Sequence, residues 1–181
     1  MTHTDEALLE LFHEPSSQNR AFDLLVLKYQ EQLYWVVRRL VIDHDDTNDI
    51  IQNVFIKVWS NLGTFREDSK LYTWLYRIAI NESLGFLNSK RMRIFVPFGN
   101  VEKQLNQKLA DDNYFEGTEI QLMLQKALLT LPEKQRIVFN LRYYNEMPYE
   151  QMSEILGTSV GALKASYHLA MKKVEKSLKA N

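Results

Sequence analysis

A short stretch in the first half of the chain is rich in flat and cationic side chains. Between residues 65 and 81 they are Phe65, Tyr72, Trp74, Tyr76 and Arg77. Aromatic rings stack on unpaired bases and guanidinium groups hold phosphate, which together bind single-stranded nucleic acid. A basic cluster follows at Lys90, Arg91 and Arg93. The stretch therefore predicts a surface for an unpaired DNA strand.

A hydrophobic core is the alternative explanation, because most aromatic clusters at helical spacing are buried. Trp74 and Ile78 follow that spacing, and we interpret Trp74 mainly as core packing. For Phe65 and Tyr72, which flank a predicted turn, the core role and the stacking role both stay open.

The preceding segment predicts a helix over about 46–62. Its apolar residues recur at three- and four-residue steps, as on one face of an amphipathic helix: Ile50, Ile51, Val54, Phe55, Val58 and Leu62. Asp45 or Asp46 can cap this helix, and Asp49 suits its first turn, where carboxylates complement the dipole.

Further helical patterns complete an all-α first domain over residues 1–94. Helices are predicted over about 4–13, 17–41 and 71–89. Thr4 can cap the first, and Ser17 or Asn19 the second. From residue 95 to residue 117, Pro97, Gly99 and polar residues interrupt the pattern, which predicts a linker.

A second helical domain is predicted over residues 118–181. Its first helix carries an apolar stripe of Ile120, Met123, Leu124, Ala127 and Leu128. Pro132 suits the first position of the next helix. Gly157 ends a helix over 149–156 and Ser159 caps another, which together form a helix-turn-helix. The outward face of that last helix, which would enter a DNA groove, carries Gly161, Ala162, Lys164, Ala165, His168 and Lys172.

Composition excludes several classes of site. The 181 residues, 45% of them hydrophobic, suffice for folded domains. The chain has no cysteine, which excludes disulfides and thiolate metal sites, and its four histidines lie far apart. No long apolar run or signal segment occurs, so we expect a soluble, cytoplasmic protein without a metal site.

The distribution of charge along the chain favours a role as a subunit over a role as a self-sufficient DNA-binding protein. Residues 1–94, 95–117 and 118–181 carry net charges of −2, −2 and +3, for a total of −1. DNA affinity depends strongly on phosphate contacts from cations. We therefore expect weak binding to free DNA unless a partner adds contacts.

Five motifs in order, at residues 49–59, 65–66, 73–81, 131–136 and 149–173, resemble an extracytoplasmic-function (ECF) sigma factor of the sigma-70 family. The resemblance covers almost the whole chain. It implies a sigma region 2 bundle that docks on the clamp of bacterial RNA polymerase core and captures the melted minus-ten promoter element. It also implies a sigma region 4 helix-turn-helix that reads the minus-thirty-five element. No catalysis, cofactor or small-molecule substrate is implied, whereas an anti-sigma partner is.

Carried over by position, the resemblance implies three sets of site residues. The polymerase-binding set is Asp49, Gln52, Asn53, Phe55 and Trp59. The minus-ten set is Phe65, Lys70, Tyr72, Arg77, Asn81, Lys90 and Arg91. The minus-thirty-five set is Ser159, Gly161, Ala162, Lys164, Ala165, His168 and Lys172. Three residues depart from the family pattern: Asn53 replaces a usual Glu, and Ser166 and Leu169 replace commonly basic residues.

Two other functions are compatible with parts of the sequence. A stand-alone regulator would use the helix-turn-helix alone, with a sensing or dimerising first bundle, and would bind duplex DNA without polymerase. A nucleic-acid enzyme would need clustered carboxylates or metal ligands. The acidic cluster at residues 43–49 lies at a predicted helix start, where a structural role suffices.

Overall fold

The structure, a computed structural model, describes residues 3–94 and 118–179, and these ranges contain helices and turns but no β-strand. The helices are α1 (Asp5–His13), α2 (Gln18–Val41), α3 (His44–Leu62), α4 (Leu71–Ile94), α5 (Glu119–Leu129), α6 (Glu133–Tyr143), α7 (Tyr149–Leu156) and α8 (Val160–Lys179). The predicted all-α fold is confirmed, and the predicted linker lies outside the described residues. None of these helices combines the length and apolar character needed to span a membrane.

Helix α1 packs against α2 through apolar side chains and also contacts it through hydrogen bonds. Thr4 caps α1 as predicted, because its hydroxyl accepts a hydrogen bond from the N–H of Ala7 at 3.2 Å. Asp5 Oδ1 accepts hydrogen bonds from Lys28 Nζ and from the Tyr29 hydroxyl, both at 2.7 Å. Burial and the nearby Asp5 carboxylate raise the pKa of Tyr29. The buried side chains of α1 are Leu8, Leu9 and Phe12.

Two helix starts differ from the sequence prediction. Ser17 precedes α2 with a helical backbone rather than the extended one of a capping residue, and its hydroxyl donates to the carbonyl of Leu11 at 2.7 Å. Helix α3 is capped by Asp43, whose Oδ1 accepts a hydrogen bond from the N–H of Asp46 at 2.9 Å. The predicted caps Asp45 and Asp46 were wrong, because both already lie in the first turn.

The first core forms between α2, α3 and α4. The predicted face of α3 packs into it, with Ile50, Val54, Val58 and Leu62 buried and with Ile51 and Phe55 half-buried. Helix α4 buries Leu71, Leu75, Ala79, Ile80 and Leu87. It continues to Ile94 instead of ending near residue 89.

The helix caps in residues 118–179, the second half of the described chain, agree closely with the sequence prediction. Thr118 and Gln121 form a capping box, with hydrogen bonds of 3.3 and 2.9 Å between side chain and backbone. Gly157 ends α7 at φ 62, the left-handed conformation that favours glycine. Ser159 Oγ accepts a backbone N–H of α8 at 3.3 Å. Pro132 lies one residue before α6 rather than at its first position.

The apolar stripe predicted on α5 is only partly buried. Ala127 and Leu128 are buried and Met123 and Leu124 are half-buried, whereas Ile120 is 74% exposed. Helix α5 packs chiefly against α8, and one neighbouring helix covers only part of such a stripe. The stripe therefore contributes Ala127 and Leu128, but not Ile120, to the buried core.

The two halves of the chain pack directly on each other. Helix α4 contacts α7, and α2 contacts α6. One apolar cluster joins both halves and includes Met147, Met152 and Ile155 from the second half. A smaller cluster around Phe139 and Ala170 joins α5, α6 and α8.

Candidate nucleic-acid interface

A cleft of about 390 Å³ opens between the end of α3, the loop over residues 63–70 and the start of α4. Its lining consists of Lys57, Asn61, Thr64, Phe65, Arg66, Asp68, Ser69, Trp74, Arg77 and Ile78. The volume is typical of a small-ligand site. Two aromatic rings lie beside three cationic side chains, the combination that binds unpaired nucleic-acid strands.

The loop positions Phe65 against Trp74. The backbone N–H groups of Thr64 and Phe65 donate to the carbonyls of Asn61 and Leu62 at 3.0 and 3.1 Å, which extends the end of α3 into a tight turn. The ring centroids of Phe65 and Trp74 are 5.1 Å apart with a 42° angle between the planes. Both side chains are half-buried, so each ring combines packed and accessible surface.

Trp74 is a cleft residue that the sequence interpretation assigned mainly to the core. Its ring packs on Phe65, but it also lines the cleft together with Arg77. The three-residue spacing of Trp74 and Arg77 puts both on one side of a helix. That spacing is the sequence feature from which the position of Trp74 beside Arg77 could have been predicted.

Tyr72 lies apart from this cleft. Its ring packs against Tyr76, with centroids 4.2 Å apart, and burial raises the pKa of Tyr72. Because α4 turns by 100° per residue, Tyr72 points to a different side of the helix from Trp74. The structure thus brings Phe65 and Arg77 together but separates Tyr72 from them.

The other members of the minus-ten set lie along α4 or just before it. Asn81 is exposed on the same side of α4 as Arg77, and Lys70 is exposed immediately before the helix. Arg77 Nη2 donates a hydrogen bond to the carbonyl of Glu154 in the second half, at 2.7 Å. Lys90 and Arg91 lie in the last turns of α4, and the structure describes their backbone alone.

A second candidate surface follows the exposed side of α3. Asp49, Gln52 and Asn53 are exposed, and their spacing puts them on one stripe. Ile56, which the sequence interpretation missed, lies on the same stripe and is 58% exposed. Ile56 could have been found from the sequence, because it is an apolar residue outside the core positions of an amphipathic helix.

Aromatic packing supports the edge of this stripe. The ring of Trp59 meets those of Phe12 and Phe22 edge to face, with centroids 5.5 and 5.0 Å apart. Phe55 also meets Phe22 edge to face, at 6.4 Å. Trp59 remains 39% exposed, so α1 and α2 hold a partly accessible indole beside the polar stripe.

A third candidate surface is the outer side of α8. The predicted residues Ser159, Gly161, Ala162, Lys164, Ala165, His168 and Lys172 are all exposed. Leu163, Ala170 and Val174 bury the opposite side. Lys164 Nζ lies 5.7 Å from the centroid of the Tyr149 ring. Lys164 and Lys172 are the cationic residues of this predicted set, so it can contact few phosphates.

Comparison with known proteins identifies the family. The Sigma-70 region 2 family matches residues 25–93, and the Sigma-70, region 4 family matches residues 121–174. The chain is 32% identical to the RNA polymerase sigma-H factor of Pseudomonas aeruginosa, over 96% of this chain and 93% of that protein. The chain belongs to the sigma-70 family.

This sigma factor is also similar to the ECF RNA polymerase sigma-E factor of Escherichia coli K12, at 29% identity over 95% of this chain and 93% of that protein. Its fold matches the sigma factor RpoE from Bartonella quintana, solved in complex with the anti-sigma factor NepR. The TM-score is 0.66 at 23% identity, over 88% of this chain and 98% of that chain.

These comparisons confirm the resemblance to ECF sigma factors and the sigma-factor function. Similarity to sigma factors extends over almost the whole chain, which does not favour a stand-alone regulator with an unrelated first bundle. The individual site residues stay predictions.

The capping residue Asp43 and the α3 residue Asp49 should differ sharply in their contribution to stability. Asp43→Ala removes the cap and should lower the free energy of unfolding by about 1 kcal/mol. Asp49→Ala should change it by less than about 0.5 kcal/mol, because Asp49 is exposed and lies beyond the first turn, where dipole effects fade. Urea unfolding monitored by circular dichroism measures both. A loss at Asp49 as large as that at Asp43 would contradict an interface role for Asp49.

Proposed function

We propose that this sigma factor directs core RNA polymerase to promoters through three surfaces. The exposed stripe of α3 binds polymerase, the cleft beside α4 holds the unpaired minus-ten strand, and the outer side of α8 contacts the duplex minus-thirty-five element. The factor performs no covalent chemistry, and it works in the cytoplasm, where bacterial polymerase and DNA are located.

The cleft is the observation that carries this proposal. Phe65 and Trp74 offer two rings at its wall, and Lys57, Arg66 and Arg77 offer cations around it. Extruding a base from a duplex costs a few kcal/mol. Stacking on aromatic side chains returns about 1 to 3 kcal/mol per base, so one or two captured bases offset that cost.

The stripe on α3 has the mixed character of a protein interface. The exposed carboxylate and amides of Asp49, Gln52 and Asn53 flank the apolar Ile56 and the accessible part of Trp59. Interfaces typically combine an aromatic or aliphatic anchor with a polar rim. The similar proteins described above are named as RNA polymerase sigma factors, which supports polymerase as the partner.

The outer side of α8 is suited to weak contacts that act in concert with the others. The predicted set has two lysines, which limits its phosphate contacts, and affinity for free duplex DNA follows the number of such contacts. Once polymerase is bound, its own DNA contacts raise the effective concentration of promoter at α8. Low intrinsic affinity is then compatible with promoter selection.

We further propose that an anti-sigma protein restrains this factor. The structure of RpoE with NepR shows that a protein of this fold accepts such a partner. The α3 stripe is the expected target, because a partner that covers it would exclude polymerase.

Run-off transcription tests the function as a whole. Core RNA polymerase would be incubated with a promoter library on linear duplex DNA, with and without the sigma factor. We expect initiation that depends on the factor and shares one pair of sequence elements. Specific duplex binding without polymerase, together with no initiation, would instead support the stand-alone regulator.

Ile56→Ala should weaken polymerase binding about tenfold. The substitution removes apolar groups worth roughly 0.8 kcal/mol per buried CH₂ at an interface. Ile120→Ala is the matched control, because Ile120 is an exposed isoleucine on α5, outside the α3 stripe. Fluorescence anisotropy with labelled factor and core polymerase measures both affinities. Equal losses for the two variants would exclude a specific role for the α3 stripe.

Phe65→Leu should weaken binding of an unpaired strand by about tenfold to hundredfold. Leucine keeps apolar contact with Trp74 but lacks the flat face worth about 1 to 3 kcal/mol in stacking. Phe86→Leu alters another half-buried phenylalanine of the same domain, outside the cleft, and should leave binding unchanged. The probe is a fluorescein-labelled single-stranded DNA of roughly 12 nucleotides, added to the polymerase complex. If strand affinity fell only for Phe86→Leu, the strand would bind outside the cleft.

Lys164→Ala should reduce the salt dependence of minus-thirty-five binding. Loss of one phosphate contact lowers the slope of log affinity against log salt concentration by about 0.9. Lys126→Ala serves as control, because Lys126 is an exposed lysine that belongs to α5 and not to α8. Affinities of the polymerase complex for duplex DNA at several salt concentrations give the slopes. An unchanged slope for Lys164→Ala would exclude its contact with phosphate.

A further inference from the structure

The middle of the outer side of α8 carries apolar side chains. Leu169, which lies outside the predicted minus-thirty-five set, is 49% exposed, and Ala162 and Ala165 are exposed beside it. Because α8 turns by about 100° per residue, these three residues lie within about 60° of one another around the helix axis. Leu163 and Val174 bury the far side of the helix. We refer to Ala162, Ala165 and Leu169 as the apolar strip.

A lysine lies on each flank of the apolar strip. Lys164 Nζ lies 5.7 Å from the centroid of the Tyr149 ring on α7. Lys173 Nζ donates a hydrogen bond to Gln135 Oε1 on α6 at 3.1 Å. The two lysines are separated by about two and a half helical turns, which puts them on opposite flanks of α8 with the apolar strip between them. Contacts with α6 and α7 thus orient one cation on each side of an apolar centre.

The major groove of duplex DNA has a matching cross-section. Phosphates border the groove on both sides, and base edges form its floor. These edges present hydrogen-bond donors and acceptors together with one apolar group, the 5-methyl group of thymine. The side chains of alanine and leucine have no donor or acceptor. Contact with a thymine methyl group is therefore the base-specific interaction that the apolar strip can make in this groove.

The length of the apolar strip limits how many bases it can contact. The backbone rises by about 10 Å between Ala162 and Leu169, which corresponds to about three base-pair steps of 3.4 Å. An α-helix fits into the major groove, which is about 12 Å wide. The two alanines allow the backbone to approach the base edges, and the longer side chain of Leu169 reaches further into the groove. The strip is thus suited to about two or three adjacent base pairs.

We propose that Leu169 is a specificity-determining residue that selects thymine in the duplex minus-thirty-five element by contact with the thymine methyl group. The inference rests on the proposed function for the placement of α8 in the groove, and it adds the base and the chemical group that are recognised. Burial of one methyl group strengthens binding by about fourfold. Elements with a thymine opposite Leu169 are therefore favoured over elements with another base at that position.

Replacement of thymine by deoxyuracil tests the contact, because it removes the 5-methyl group and keeps the base pair. The probe is a fluorescein-labelled duplex with the minus-thirty-five element selected in the run-off experiment, bound to the complex of polymerase and sigma factor. Replacing the thymines one at a time should weaken binding about fourfold at one position or more. Leu169→Ala should weaken binding of the thymine duplex by at least that factor.

The two losses should not add. Each change removes one side of the same contact, so Leu169→Ala should bind the thymine duplex and the deoxyuracil duplex with nearly equal affinity. If deoxyuracil weakened binding equally for wild type and Leu169→Ala, the methyl contact with Leu169 would be overturned. Circular dichroism verifies that the variant stays helical, which is expected for truncation of an exposed side chain.

Met171→Ala is the matched control on the same helix. Met171 is an apolar residue that is 39% exposed, but it lies about 160° around the helix axis from Leu169. This variant should keep the affinity of the wild type and its full sensitivity to deoxyuracil. Loss of that sensitivity in Met171→Ala as well would show a general effect of truncation on α8 and would overturn the assignment to Leu169.

A change of base preference supplies a second readout. Glutamine in the major groove hydrogen-bonds to adenine, so Leu169→Gln should lose the preference for thymine at the position where deoxyuracil weakens the wild type. Selection from the same promoter library measures this preference. A purely structural role of Leu169 would lower affinity at all positions alike, and that result would contradict the proposal.

Failure of this inference and failure of the proposed function give different results. Factor-dependent initiation with binding that is insensitive to deoxyuracil, or a selected minus-thirty-five element without thymine, would overturn the inference alone. If the complex neither binds the duplex nor initiates transcription, the proposed function fails and the inference fails with it.

Discussion

Packing on two sides leaves α4 only a narrow strip for DNA, and the arrangement of the proposed site follows from this. Leu75 and Ala79 bury one side of α4 in the first core, and Thr73 and Tyr76 meet the second half. The remaining strip carries Trp74, Ile78 and Asn81, with Arg77 at its border with the second half. The loop after α3 contributes Phe65 to this strip and closes one wall of the cleft.

The sequence was sufficient wherever a local physical rule determines the structure. Helical periodicity predicted the buried face of α3, and the chemistry of capping predicted Thr4, Gly157 and Ser159. The rule was ambiguous at the start of α3, where four aspartates lie within seven residues and the backbone turn selects Asp43. Periodicity also identifies a buried side without identifying its neighbour, so the exposure of Ile120 was not predictable.

The sequence predicted the residues of the candidate site better than it predicted their arrangement. Sequence placed Phe65, Tyr72 and Arg77 together, but the rotation of α4 separates Tyr72 from the other two. Trp74 joins them because one side chain can pack on a neighbour and still line a cleft. Contacts between the halves, such as Arg77 with Glu154, join residues 77 positions apart. No local pattern encodes such a contact.

The role of α1 has a practical consequence for work with fragments. The region 2 match begins at residue 25, whereas α1 ends at His13 and buries Leu8, Leu9 and Phe12 against the first bundle. Phe12 supports Trp59 at the edge of the α3 stripe. A fragment trimmed to the matched residues would expose the back of α2 to solvent and leave that indole poorly oriented. It would then aggregate or bind polymerase weakly for reasons unrelated to the residues under test, so fragments of this factor should retain α1.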